Sequence, residues 1–240
     1  MAWRLRNVGV KSRMPTCLVT GASRGIGLEF AKQYAADGWT VIATCRHPEQ
    51  AEALAQLQGQ IRVEPLDVTD FARIEALGRK LQRQPIDLVI NSAGIYGPRI
   101  TPYESVDYAA WAEVLRVNVM APLKVTAVFS DSLARSKRRI AIAISSLMGS
   151  IGDNSSGGSY IYRSSKAALN AVMRSLALDL RPKQIIVCVL NPGWVRTHMG
   201  GSAAPLEPFE SVAGMRQTID RLTLRDTGSF YNYDGDELPW

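Results

Sequence analysis

The sequence predicts an α/β fold, in which helices cover both faces of an open, doubly wound parallel sheet. Short β-branched runs alternate with longer helical stretches along most of the chain. Several of the short runs are apolar at consecutive positions, which is typical of parallel strands buried on both faces. This alternation is the pattern of repeated strand–helix–strand units with right-handed crossovers.

The individual elements follow from the same periodicity. Strands are predicted at residues 16–20, 40–45, 61–66, 86–90, 140–145 and 185–190. Helical stretches are predicted near residues 25–37, 48–57, 70–83, 107–135 and 160–180. Because no repeat, low-complexity tract or linker divides the chain, we predict one domain over residues 15–240. The basic residues 1–14 before it are expected to form a disordered extension.

The charge of the chain is concentrated in this extension. The formal net charge is +6, and Arg4, Arg6, Lys11 and Arg13 supply four of the positive charges with no acidic residue among them. The rest is close to neutral, which argues against nucleic-acid binding, because that requires a basic stripe on a folded face. The longest apolar run, residues 185–190, has six residues, whereas a membrane span needs roughly 18. We therefore expect neither nucleic acid nor membrane as a partner.

The cysteines and histidines indicate no metal site and no disulfide framework. Cys17, Cys45 and Cys188 lie in apolar stretches without CxxC spacing, and His47 and His198 are far apart and flanked by loop residues. An odd number of buried thiols is typical of a reducing compartment. We therefore predict a cytoplasmic protein.

A glycine-rich turn follows the first predicted strand and opens a helix, with the sequence Thr20-Gly21-Ala22-Ser23-Arg24-Gly25-Ile26-Gly27. Glycines allow the backbone to turn sharply and approach a pyrophosphate, and the helix N-terminus presents free N–H groups to it. The spacing is GxxxGxG, unlike the GxGxxG fingerprint, but the strand–turn–helix context favours a dinucleotide cofactor. The predicted contacts are Gly21, Ser23, Arg24, Gly25, Ile26 and Gly27.

Five further motifs follow in order: Asn91-Ser92-Ala93-Gly94, Asn118, Ser145-Ser146, Tyr162-x-x-x-Lys166 and Asn191-Pro192-Gly193. With the glycine turn, they make residues from about 15 to 200 resemble the short-chain dehydrogenase/reductase family. The resemblance implies a Rossmann-like sheet of about seven strands, with the last strand near residues 230–233. It also implies a nicotinamide cofactor that crosses the carboxyl edge of the sheet.

The residue at the end of the second predicted strand contacts the 2′ position of the adenosine ribose and so sets the cofactor preference. This strand ends Ala43-Thr44-Cys45-Arg46. An acidic residue there would bind a free 2′-hydroxyl, whereas an arginine pairs with a 2′-phosphate. Arg46, with Arg24 as a second cation, therefore predicts NADP(H) in preference to NAD(H). The other cofactor contacts implied by the resemblance are Asp67, Val68, Asn91, Ala93, Gly94, Tyr162, Lys166, Pro192, Gly193, Val195 and Thr197.

Tyr162 and Lys166 are four residues apart at the start of a helix, so both side chains lie on one face. A nearby ammonium favours the phenolate, and we expect it to lower the pKa of Tyr162 from about 10 towards neutrality. Such a phenol can exchange a proton with a carbonyl oxygen. Tyr160 lies closer to Ser146, nearer to the serine–tyrosine spacing usual in the family, but no lysine follows it four residues later.

The resemblance implies two more catalytic residues. Ser146 would hydrogen-bond the substrate oxygen, with Ser145 and Ser150 as alternatives. Asn118 is similar to the family's asparagine that kinks a helix and holds a water against the lysine. The loop after Ser146, the segment 197–208 and the residues 233–240 resemble carbonyl reductases of the C-factor-like branch, and they are expected to shape the substrate mouth.

These observations predict an NADPH-dependent oxidoreductase that reduces an aldehyde, ketone or quinone by hydride transfer. The alternative is an NADP-binding signalling or regulatory protein of C-factor type with little turnover. A third hypothesis, compatible with the same fold, is epimerase or dehydratase chemistry. The pocket candidates Ile95, Tyr96, Met148, Ile151 and Trp194 favour an apolar small-molecule substrate. The stretches 111–129 and 167–180 are apolar on more than one face, which predicts a homodimer or homotetramer.

Overall fold

The computed structural model describes residues 13–99 and 102–240. Its seven strands are β1 (Thr16–Val19), β2 (Thr40–Cys45), β3 (Gln60–Pro65), β4 (Leu88–Asn91), β5 (Ile140–Ile144), β6 (Ile186–Asn191) and β7 (Phe230–Asn232). They form one parallel sheet in the order β3-β2-β1-β4-β5-β6-β7. The predicted Rossmann-like architecture is therefore confirmed, including the seventh strand.

Helices cover both faces of this sheet. They are α1 (Gly25–Ala36), α2 (Glu52–Ala55), α3 (Phe71–Leu81), α4 (Tyr108–Leu115), α5 (Ala121–Ala134), α6 (Tyr160–Leu180) and α7 (Pro208–Arg221). Because side chains alternate along a strand, Leu18 of β1 packs in the core beneath α3, α5 and α6, whereas Cys17 and Val19 pack in the core beneath α1 and α7. The fully apolar strands follow from this two-sided burial.

Two predicted helices are interrupted. Residues 48–57 form a 3-10 turn, Pro48–Gln50, and the single turn of α2, because apart from Ala51 and Leu54 this polar segment has little apolar surface to bury. The stretch 107–135 is divided by a π-helical turn, Arg116–Met120. Pro122 has no N–H to donate to the carbonyl four residues earlier, so the helical register changes there.

Helix α7 is missing from the sequence prediction, although its signals are present. Pro208 occupies the first turn, and Glu207 and Glu210 form a capping box. Val212, Met215 and Ile219 recur at helical spacing and are buried against the α1 side of the core. A search for capping signals would have found this helix.

The predicted N-terminal extension lies mostly outside the described residues, which begin at Arg13. The Arg13 guanidinium donates to Asp87 Oδ2 at 2.6 Å, and the same oxygen accepts from the Thr16 backbone N–H at 2.9 Å. The start of β1 is therefore tied to the residue that precedes β4.

Candidate active site

The predicted site residues follow the carboxyl ends of β1, β2, β4, β5 and β6, which meet at one edge of the sheet. The strand order reverses between β1 and β4, and such a switch point is where open α/β sheets bind ligands. The Thr20 hydroxyl oxygen accepts from the backbone N–H groups of Ser92 and Ala93 at 3.1 and 3.2 Å. This pair of bonds joins the glycine turn to the loop after β4.

The glycine turn is packed too closely for other side chains. A Cβ on Gly21 would lie 2.8 Å from the Cα of Ala93, and a Cβ on Gly27 would overlap the carbonyl oxygen of Gly21. Gly25 has a φ of +57°, and a Cβ there would lie 3.4 Å from the side chain of Thr197. The turn therefore lies directly beside the loop after β6, as a nucleotide bound between them requires.

Replacing Gly27 with alanine is expected to lower the free energy of unfolding by about 2–3 kcal/mol, because the new methyl group would overlap a backbone carbonyl that cannot move freely. Urea unfolding measures this change. Gly152→Ala is the matched control, since a Cβ there has only ordinary contacts, the nearest at 3.5 Å. Equal stability of Gly27→Ala and wild type would contradict the packing described.

The N-terminus of α1 is open to an anion. Arg24 precedes it in extended conformation and makes no side-chain cap, and the first turn contains no acidic residue. The first N–H groups of the helix thus keep their capacity to bind phosphate oxygens. The residues present therefore fit the predicted pyrophosphate.

A groove of about 560 Å³ opens beside the ends of β2 and β3, and it is lined by Arg46, His47, Asp67, Thr69, Asp70, Phe71, Arg73 and Arg116. Within the described ranges, the guanidinium groups of Arg24 and Arg46 make no hydrogen bond or salt bridge, so both are available to a phosphate. Burial alone would raise the pKa of Asp67. The hydrogen bonds from Thr69 and the charges of Arg46 and Arg116 outweigh it, so the pKa lies below its ordinary value.

Val68 and Asn91 lie deeper, in the wall between this groove and the core. The Asn91 amide donates to the Thr126 hydroxyl at 3.0 Å and to the Ile142 carbonyl at 3.3 Å, which braces β4 against α5 and β5. Its Oδ1 is buried and has no hydrogen-bond partner in the described part of the chain. Val68 is buried near it. Asn91 thus supports the site from inside the sheet.

Tyr162 and Lys166 lie together on the first turns of α6, and both are more than nine-tenths buried. Lys166 Nζ is 5.7 Å from the centroid of the Tyr162 ring and donates to the Ile144 carbonyl at 2.8 Å. A Cβ on Gly94 would lie 3.7 Å from Lys166 Nζ, so the loop after β4 covers the ammonium. The structure therefore brings the two predicted catalytic residues together at the switch point.

The pKa values correct the expectation from sequence. Burial raises the pKa of Tyr162 to about 12, although a hydrogen bond with Ser146 acts in the opposite direction. Burial also lowers the pKa of Lys166 to about 8. In the chain by itself, desolvation of the phenol therefore exceeds the stabilisation of phenolate that the nearby ammonium was predicted to provide.

The structure distinguishes the three candidate serines. Ser146 lies beside the Tyr162 hydroxyl and acts to lower the pKa of that phenol, and its Oγ accepts from the Met148 N–H at 3.1 Å. Ser145 donates instead to the Asn170 amide oxygen at 2.6 Å, and Ser150 donates to the Trp240 carbonyl at 3.1 Å. Only Ser146 among these three is therefore paired with the phenol.

Asn118 lies inside the π-helical turn, which accounts for the predicted kink. Its Oδ1 accepts from the Ile95 N–H at 2.9 Å, and its amide donates to the Ile95 carbonyl at 2.8 Å and to the Ser165 hydroxyl at 3.0 Å. Ser165 in turn donates to the Tyr162 carbonyl at 2.8 Å. Asn118 thus connects the loop after β4 to the helix that carries Tyr162 and Lys166.

The loop after β6 closes the far side of the site. The Pro192 carbonyl accepts from the Ser211 hydroxyl at 2.6 Å, which fixes the loop to α7. Val195 pairs with Leu206 in an isolated parallel bridge. Thr197 Oγ1 accepts from the Gly200 N–H at 3.1 Å. Gly193 has a φ of +77° and packs against Leu206 and Tyr233, so each predicted loop residue lies at this edge.

Two contacts at the substrate side lie beyond the sequence prediction. Tyr96, assigned only to the pocket lining, stacks on the Tyr162 ring. The Trp240 carbonyl accepts from the N–H groups of Ile151 and Gly152, both at 3.0 Å, so the C-terminal residues hold the loop after Ser146. Neither contact has a local sequence signal, because each joins residues far apart in the chain.

Similarity to known proteins identifies the family of this chain. A family model described as short chain dehydrogenase matches residues 15–207. The chain belongs to the short-chain dehydrogenase/reductase family. C-signal of Myxococcus xanthus is 42% identical over 156 residues, which are 65% of this chain and 93% of that protein.

Two solved structures are similar to this chain over nearly its whole length. Carbonyl reductase Sniffer of D. melanogaster is 34% identical, with a TM-score of 0.87 over 95% of this chain and 100% of that one. An NADPH-bound carbonyl reductase from chicken fatty liver is also 34% identical, with a TM-score of 0.85 over 95% and 100% of the two chains. This short-chain dehydrogenase/reductase is therefore an oxidoreductase, and its structure is similar to those of carbonyl reductases.

None of the helices in residues 13–99 and 102–240 is long and apolar enough to cross a membrane. No group of three or more His, Cys, Asp or Glu side chains in the same ranges is arranged to hold a metal ion.

Proposed function

We propose that the chain is an NADPH-dependent reductase that converts an aldehyde, ketone or quinone to an alcohol by direct hydride transfer. The observation that carries the proposal is the buried Tyr162, with Ser146 beside its hydroxyl and Lys166 beside its ring at the carboxyl edge of the sheet. The NADPH-bound state of the similar chicken reductase supports the choice of cofactor.

The raised pKa of Tyr162 suits reduction. With a pKa of about 12, the phenol holds its proton at neutral pH and can donate it to a substrate oxygen. Ser146, paired with the same phenol, would hydrogen-bond that oxygen and stabilise the developing negative charge. Bound NADPH would supply the hydride.

Lys166 and Asn118 would support this proton transfer. The pKa of Lys166, about 8, leaves its ammonium charged at neutral pH. Beside the Tyr162 ring, that charge stabilises the phenolate formed when the proton leaves. The hydrogen bonds of Asn118 to Ile95 and Ser165 hold α6 and the loop after β4 in register.

Replacing Arg46 with glutamate is expected to weaken NADPH binding by about 10- to 100-fold, because a charge-assisted bond to the 2′-phosphate is lost and repulsion is added. NADH binding should change far less. Fluorescence titration of both cofactors measures the difference. The control is Arg83→Glu, an equal charge change at an exposed residue outside the groove. Equal weakening of NADPH and NADH would contradict the assignment of Arg46.

The proposed activity is tested by following NADPH oxidation at 340 nm with a panel of aldehydes, ketones and quinones. Turnover that requires both NADPH and a carbonyl compound is the expected result. Tight NADPH binding without turnover on any class would contradict the reductase assignment.

That last outcome would favour a second candidate, an NADP-binding signalling protein. The observation behind it is the 42% identity to C-signal. A cofactor-binding sensor needs the glycine turn but has no use for a buried phenol–ammonium pair. Retention of Tyr162, Lys166, Ser146 and Asn118 in one connected arrangement is therefore the reason to prefer the enzyme.

We also propose a cytoplasmic homodimer or homotetramer. Cys17, Cys45 and Cys188 are buried free thiols, as a reducing compartment permits. Met120 and Leu123 near the start of α5, and Leu178 on α6, are exposed large apolar side chains. A second copy would remove them from water. A monomer mass in sedimentation equilibrium would contradict the oligomer.

A further inference from the structure

Tyr96 covers the ring of Tyr162. Their ring centroids are 4.3 Å apart and their planes differ by 15°. Stacking at this distance leaves no room for water between the two rings. One face of the candidate proton donor is therefore held against another aromatic side chain.

Tyr96 is itself held by three neighbours, Met148 and Ser159 in the loop after β5 and Arg99 in its own loop. Its hydroxyl lies 3.1 Å from Ser159 Oγ and 3.9 Å from Met148 Sδ. The Arg99 guanidinium lies over the Tyr96 ring, 5.4 Å from its centroid, and donates to the Met199 carbonyl at 2.7 Å. The loops after β4, β5 and β6 thus converge on this one ring.

Ser159 shows that the contact with Tyr96 is maintained against a local cost. It precedes α6 with φ 47° and ψ 40°, a left-handed conformation that is unfavourable for a residue with a side chain. Serine at this position usually caps a helix, but the Ser159 side chain makes no cap hydrogen bond. Its hydroxyl pairs with Tyr96 instead.

We propose that Tyr96 is a positioning residue for Tyr162, which fixes the phenol ring by stacking on one of its faces and so keeps the hydroxyl directed towards Ser146. The proposal rests on the proposed function, because it takes Tyr162 as the proton donor. Ser159 and Arg99 act through Tyr96, Ser159 by holding its hydroxyl and Arg99 by covering its ring.

The electrostatic consequence follows from burial. Desolvation is the largest cause of the raised pKa of Tyr162, and the Tyr96 hydroxyl raises it further. Removing the Tyr96 ring admits water to the Tyr162 ring, so the pKa of Tyr162 falls. The freed ring also rotates, and the hydroxyl loses its fixed direction.

The test compares Tyr96→Leu, which removes the stacked ring, with Tyr96→Phe, which keeps the ring and removes only the hydroxyl. In Tyr96→Leu we expect kcat to fall about 10- to 100-fold, with the Kd of NADPH unchanged. Tyr96→Phe should lose less activity, about two- to fivefold, because the ring remains stacked on Tyr162 and only its bond to Ser159 is lost. If Tyr96 served only to stabilise the fold, Tyr96→Leu would lower the melting temperature without lowering the kcat of the folded enzyme.

A second readout needs no turnover. With tyrosine labelled at ¹³Cζ, the Tyr162 resonance is assigned by its loss in Tyr162→Phe and followed by NMR as the pH is raised. Wild-type Tyr162 should stay protonated up to about pH 11, since its pKa is about 12. In Tyr96→Leu it should titrate at least about one unit lower.

The two readouts separate the possible failures. An inactive wild type whose Tyr162 resonance still responds to Tyr96→Leu would overturn the proposed function and leave the positioning role standing. A folded Tyr96→Leu with wild-type kcat and titration would overturn the positioning role. If Tyr96→Leu does not fold, Ser159→Gly decides, because glycine accepts the left-handed backbone and removes the hydroxyl that holds Tyr96. A smaller shift in the same direction supports the role, and no shift overturns it.

Discussion

Tyr162→Phe is expected to lower kcat/KM for carbonyl reduction by at least about 10³-fold, because it removes the proton donor. Phenylalanine keeps the ring and its stacking on Tyr96. The Kd of NADPH and the melting temperature should therefore stay near wild-type values. Steady-state kinetics together with cofactor titration measure both effects.

Tyr160→Phe is the matched control for this substitution. Tyr160 lies on the same first turn of α6, but its side chain is partly exposed and no lysine follows four residues later. We expect wild-type activity from it. Loss of activity in Tyr160→Phe, with activity retained in Tyr162→Phe, would reverse the assignment of the proton donor.

Lys166→Met is expected to abolish activity and, at neutral pH, to raise the free energy of unfolding by about 1–3 kcal/mol. Burial lowers the pKa of Lys166 from 10.5 to about 8, so the folded protein bears the cost of a desolvated ammonium wherever that group is charged. Methionine fills a similar volume without this cost. The lysine would thus be kept for chemistry at the expense of stability.

The sign of the pH dependence follows from proton linkage. Between about pH 8 and 10.5, the unfolded chain binds a proton at Lys166 that the folded chain has released, so this group makes wild-type stability rise with pH. The advantage of Lys166→Met should therefore shrink across this window. Urea unfolding at both ends measures it. A variant less stable than wild type at neutral pH would show that the bond to the Ile144 carbonyl outweighs desolvation.

The strands could be predicted because their residue pattern reflects how they are buried. Runs such as Ile140–Ile144 and Ile186–Asn191 are apolar at nearly every position, as burial on both faces requires. The glycine turn and the Tyr162–Lys166 pair could be predicted because their chemistry is local in sequence. The resemblance to a family added the seventh strand, which has only three residues.

The parts that could not be predicted depend on tertiary contacts. The break at Arg116–Met120, which only the resemblance indicated as a kink at Asn118, reflects Pro122 together with the hydrogen bonds of Asn118 to Ile95. The raised pKa of Tyr162 results from burial, whereas sequence spacing reveals only the nearby lysine. The stacking of Tyr96 on Tyr162 joins residues 66 positions apart.

Transfer of deuterium from the reduced ring of NADPH to the substrate carbon tests the central claim most directly. With [4-²H]NADPH labelled separately on each ring face, and a carbonyl substrate found in the panel, one label should appear at the new carbinol carbon of the alcohol. Mass spectrometry and ¹H NMR detect it. Alcohol that contains no deuterium from either label would contradict direct hydride transfer at this site.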